Sequence, residues 1–155
     1  MMLSKNLSLG EFTRSQTAKR RGIDNTPKGE HLEAAKILAK EIFQPIREHF
    51  SKPIFISSGY RSQALNEAIG GSKTSQHSKG EAIDIDMDYR NGPENEEIFH
   101  YIRENLPFDQ LIWEFGTDER PDWVHVSYNS DGKQRGQILA AKRNSKGKTY
   151  YENWS

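Results

Sequence analysis

Two periods organise the apolar residues of this chain. Leu32, Ala35, Ala39, Ile42, Phe43, Ile46 and Phe50 recur every three or four positions, which marks one apolar face of a long helix. Thr26-Pro27 reads as its N-cap and first helical residue, and Pro45, which has no amide hydrogen to give, predicts a kink inside it. Over 82–87 the period drops to two. Ile83, Ile85 and Met87 point one way and Asp84 and Asp86 the other, so this run is a strand. Apolar, β-rich runs predict further strands over 53–58, 111–115 and 123–128. In the last of these Val124 and Val126 face the core, and His125 and Ser127 face the opposite side. Ser8-Leu9-Gly10-Glu11 has the form of a capping box, so a helix starts there and stops near Gly22. Two more helices are predicted over 63–69, closed by Gly70-Gly71, and over 93–105, carrying Ile98, Tyr101 and Ile102. Residues 73–81 form a polar loop, and 138–154 read as a hairpin turning at 144–147. The expectation is one α+β domain over 1–155: a small antiparallel sheet with helices packed on one side and the other side open.

Composition narrows what this domain does. A chain of 155 residues buries a core without covalent staples. With 22 basic and 22 acidic residues the formal charge is zero, which argues against nucleic acid as a partner. The absence of cysteine excludes thiol catalysis, cysteine metal ligands and disulfides. Residues 1–8 lack the apolar core of a signal peptide, and no stretch approaches the roughly 20 apolar residues of a membrane span. Cytoplasmic synthesis without a membrane partner is therefore expected, with any export supplied from outside this sequence. From Asn129 onward six Lys and Arg stand against two acids, which predicts a basic, solvated tail.

Three segments hold the candidate chemistry. In Ser75-Gln76-His77-Ser78-Lys79-Gly80-Glu81-Ala82-Ile83-Asp84, the small residues Ser78 and Gly80 let the loop fold back so that His77 and Asp84 reach one point. In Asp122-Trp123-Val124-His125 an acid precedes a histidine by three residues. In Ser57-Ser58-Gly59-Tyr60-Arg61 a strand ends beside an arginine. His77, Asp84 and His125 make a good three-ligand set for zinc, with a fourth position left for water. Such a water becomes acidic near neutral pH and needs a carboxylate to take its proton, a role Asp122 fits. Arg61 is placed to face the oxyanion of a tetrahedral intermediate.

Together these segments resemble the zinc D-alanyl-D-alanine carboxypeptidase family, which includes D,D-dipeptidases and phage L-alanyl-D-glutamate endolysins. Its pattern is S-x-H-x-x-G-x-A-x-D, followed by an acid three residues before a histidine. The likeness runs over about half the chain, from 51 to 128, and Glu11-Phe12-Thr13-Arg14-Ser15 adds a softer likeness to small phage-encoded members. Many members carry Glu where this chain has Asp122. The resemblance implies zinc held by His77, Asp84 and His125 on the open side of the sheet, Asp122 as acid/base, and Arg61 on substrate or intermediate. It also implies peptidoglycan stem peptides as substrate, cut by a monomer that reaches the cell wall after release, as in phage lysis through a pore. The basic tail then has a reading as attraction to the anionic wall.

Other readings of these residues stay open. Asp86 shares its strand face with Asp84 and is the rival ligand. Glu114 is the rival base, or else a carboxylate that orients a ligand histidine. His31, His49 and His100 fall on helices and read as ordinary helical histidines. Trp113, Tyr60 and Trp123 line a cleft or, more commonly for strand-side aromatics, the core. A wall-binding or virion module with a non-catalytic zinc site, and a zinc hydrolase for another small amide, are the rival functions.

Overall fold

The computed structural model describes all 155 residues. A short hairpin, β1 (Met2–Ser4) and β2 (Leu7–Ser8), opens the chain. Two small helices follow, α1 (Leu9–Thr13) and α2 (Gln16–Arg21). The capping box forms as expected: the Ser8 hydroxyl accepts from Glu11 N at 3.0 Å, and Glu11 Oε1 accepts from Ser8 N at 3.1 Å. The helix does not run through to Gly22, because Ser15 recaps the chain by accepting from Ala18 N. Gly22 then closes α2 in the left-handed conformation.

The long helix starts later than Thr26-Pro27 suggests. Residues 24–28 form an anchored strap: Asp24 caps Thr26 N, and the Asn25 side chain bonds Thr13 O, Tyr60 O and Ser62 N. Helix α3 (Glu30–Leu38) follows Gly29 and passes through a π-helical turn (Ala39–Phe43) into α4 (Gln44–Phe50). Gln44 N bonds Ala39 O, and this widened turn lies just before Pro45, the residue that cannot donate to the regular helical ladder. Gln44 also ties down the opening hairpin, accepting from Ser4 Oγ at 2.8 Å and Asn6 N at 3.0 Å.

The rest of the chain builds the sheet: β3 (Ile56–Ser58), α5 (Gln63–Ala68), a 3₁₀ turn (Gln76–Lys79), β4 (Ala82–Ile85), α6 (Asn95–Asn105), β5 (Gln110–Glu114), β6 (Trp123–Ser127), β7 (Gln137–Arg143) and β8 (Thr149–Asn153). The six strands lie in the order β3-β4-β6-β5-β7-β8. All neighbours are antiparallel except β5 and β7. That parallel pair has a topological cause. Strand β6 is flanked by β4 and β5, so the chain leaving it must cross to the free edge of β5, and reversing against β6 makes β7 run with β5. The fold is α+β, as expected.

The core lies on one face of this sheet. Ile83 and Ile85, Val124 and Val126, and Leu111 and Trp113 alternate toward Leu38, Ile42, Phe43 and Ile46 of the long helix and Ile98, Phe99 and Ile102 of α6. The opposite face carries Asp84, His125, Ile112, Glu114 and Leu139. No helix is long and apolar enough to cross a membrane.

Candidate metal centre and cleft

The row that matters crosses four strands. Asp84 pairs with His125, His125 with Ile112, and Ile112 with Leu139. Alternation then puts the carboxylate and the imidazole on the same face, away from the core. His77 arrives from the adjoining 3₁₀ turn. Ser75 caps that turn, accepting from His77 N at 3.2 Å, and Gly80 ends it with φ +76°. A Cβ at Gly80 would stand 2.4 Å from the backbone oxygen of His31, so this motif position needs both the glycine conformation and its missing side chain.

The imidazole of His77 is oriented by its own strand-end neighbour. Its Nδ1 lies 2.7 Å from Gly59 O. A carbonyl only accepts, so Nδ1 carries the proton and Nε2 is left as the ligand atom. Nε2 lies 3.4 Å from Asp84 Oδ1, and His125 Nδ1 lies 2.9 Å from the same oxygen. The ligand atoms of the three residues all lie within 4.8 Å of one another. Two imidazoles and a carboxylate converging in this way fit zinc, and the set leaves room for a fourth ligand.

Electrostatics agree with the geometry. Burial pushes the Asp84 carboxyl up, but His77 and His125 beside it outweigh that and hold it far below the usual carboxylate range. Burial pushes the His77 imidazole down, against the pull of Asp84, which favours the neutral, metal-binding form. Arg61 Nη2 lies 3.8 Å from Asp84 Oδ2, and its Nε donates to Ser58 Oγ.

These residues floor a cleft of about 660 Å³ that also takes in Gln76, Gln110, Glu114, Trp123, Arg135 and Tyr151. Glu114 is 7% exposed there, and burial, reinforced by Asp84, pushes its carboxyl up to about 7 against the opposing pull of His125, Arg143 and Arg61. Asp122 stands elsewhere. It is exposed and lines a second cavity of about 790 Å³ with Trp113, Ala140 and Lys142, residues that alternate away from the cleft. The second cavity is larger, but none of His77, Asp84 and His125 lines it. The structure thus brings His77, Asp84, His125 and Arg61 together, adds Glu114 to them, and leaves Asp122 apart.

The other candidates fall into structural places. Asp86 lies past the end of β4, where its Oδ1 accepts from Asp88 N and Asn95 Nδ2. His31 meets Tyr60 Oη at 3.0 Å, His49 stacks on Tyr101, and His100 packs near Trp113 and Trp154. Tyr60 and Trp113 belong to the core, and Trp123 lines the cleft. Sequence reasoning missed the far wall. Arg135, Leu139, Thr149 and Tyr151 come from β7, β8 and the loop before them. The only signal for them is alternation in a short hairpin, and that hairpin reads equally well as free in solvent.

A His-Asp-His centre on the open face of an α+β sheet, beside a buried carboxylate, is the arrangement of a metallohydrolase. The sequence model of the Peptidase M15 family matches residues 5–127. The chain belongs to that family, and with it to the zinc metallopeptidases. A comparison with curated proteins finds no match.

Proposed function

We propose that this chain hydrolyses amide bonds in peptidoglycan stem peptides, with His77, Asp84 and His125 as zinc ligands and Glu114 as general base. The observation that carries this reading is the convergence of three ligand atoms within 4.8 Å in one cleft with a buried carboxyl group, Glu114. Zinc held there by His77, Asp84 and His125 would supply Lewis acidity and would make a water more acidic near neutral pH. Glu114, buried in the same cleft, takes the proton of the attacking water and returns it to the leaving amine. Arg61 presents its guanidinium beside Asp84, where it balances negative charge developing on the carbonyl oxygen. Gly59 O holds His77 in the required tautomer. The stem-peptide assignment draws support from family membership and from the ten-residue block Ser75 to Asp84. In this reading the protein works as a monomer on the wall, with neither nucleic acid nor membrane as partner.

The choice between two carboxylates is part of the proposal. Asp122 occupies the sequence position of the expected base, but Glu114 lines the cleft and Asp122 does not. Glu114→Gln should keep zinc and lose about 10²–10⁴ in turnover, while Asp122→Asn stays within a few-fold of the parent. Mass spectrometry of purified wall fragments after digestion reads the new termini directly. Intact fragments after treatment with zinc-loaded protein would refute the substrate, and the reverse ranking of the two variants would return the base to Asp122.

A further inference from the structure

The cleft contains two cations, and only one is beside the ligands. Arg61 sits at Asp84, whereas Arg135 comes from the loop between β6 and β7, outside the residues the family model matches. Arg135 is held with unusual firmness for a loop residue. Its backbone N donates to Asp109 Oδ1 at 2.9 Å, Nε lies 3.0 Å from Oδ1 and 3.2 Å from Oδ2, and Nη2 lies 2.7 Å from Oδ2. Asp109 is 1% exposed and takes a further hydrogen bond from Gln76, the neighbour of ligand His77. Its main chain is fixed as well, by Ser127 O and Gln137 N. The guanidinium is oriented from beneath by a buried carboxylate, yet the side chain is 57% exposed and Nη1 makes no hydrogen bond within the chain.

Position along the cleft gives this group a use. Asp109 and Gln110 lie three and two residues from Ile112, the β5 residue in the ligand row, which is about 7–10 Å at strand spacing. That distance is two or three residues of extended peptide. We propose that Arg135, positioned by Asp109, is the receptor for a carboxylate that the substrate carries within about three residues of the scissile bond. The protein is then selective for acidic peptides, and the β6–β7 loop sets that selectivity. The inference rests on the peptidase reading above. It names the chemical class of peptide the cleft prefers.

Two synthetic stem peptides that differ only in a free or an amidated glutamate carboxyl test this. The parent should favour the acid about three- to tenfold in kcat/KM, through KM, as expected for a partly exposed charge-assisted contact made equally in ground and transition states. Arg135→Gln should abolish the preference by weakening the acid peptide alone, and Arg135→Lys should restore part of it. Equal losses on both peptides, the signature of a purely structural ion pair, would overturn the proposal, as would an unchanged preference. Calorimetric binding of the two peptides to zinc-loaded Glu114→Gln, with and without Arg135→Gln, reads the same selectivity without turnover. Selective binding by the variant, with no cleavage of either peptide by the zinc-loaded parent, would support the carboxylate receptor and refute the peptidase reading, whereas binding with no preference would refute the receptor.

Discussion

Burial of Glu114 should appear as a pH-dependent stability difference that removing one charge eliminates. The carboxyl titrates near 7 in the folded protein against an ordinary 4.5, chiefly because burial disfavours its ionised form. A group whose folded pKa is raised favours the fold most below its unfolded pKa. That advantage is lost as pH rises from about 4.5 to about 7. The separation corresponds to about 3 kcal/mol, all of it present as a penalty above pH 8. Glu114→Gln cannot ionise, so in chelator-treated protein it should match the parent near pH 4 and exceed it by about 3 kcal/mol at pH 8–9. For a domain of this size that is roughly 6–12 °C in Tm. Denaturation followed by circular dichroism across pH 4–9 measures the gap. Adding zinc should narrow it, because a cation at the neighbouring ligands favours the ionised carboxylate. A difference that stays flat between pH 5 and 8, or one that appears in Asp122→Asn instead, would refute the desolvated position of Glu114 and with it the argument for its role as base.

Elemental analysis should find about one zinc per chain, and His77→Ala or His125→Ala should lose both metal and activity; stoichiometric zinc in either variant would remove that residue from the ligand set. Arg61 separates two roles by kinetics. If it balances the oxyanion, Arg61→Ala should lower kcat on the order of 10²–10³ with partial recovery in Arg61→Lys. A raised KM at unchanged kcat would assign it to a substrate carboxylate.

Much of the site is legible in the amino-acid sequence, for a physical reason: the three residues of its His-Asp-His cluster obey local rules. His77 and Asp84 fall in one ten-residue block whose loop depends on Ser75 as cap and Gly80 in the left-handed conformation. Asp84 and His125 share a face because alternation fixes which side each strand residue takes. The apolar period of the long helix also survives folding, even through its π-helical turn. What sequence could not supply is which carboxylate reaches the metal face. Asp122 is near His125 along the chain, but it precedes the first residue of β6 and lines the cavity on the other side. Glu114 is eleven residues from His125 in sequence, and only the pairing of β5 with β6 brings it to the cleft. The parallel insertion of β7 is likewise invisible in the sequence, because it follows from both edges of β6 being occupied. That insertion turns a basic tail into the wall that carries Leu139 and Tyr151, with Arg135 on the loop leading into it. Local patterning determined the His-Asp-His cluster, and long-range strand pairing decided what surrounds it.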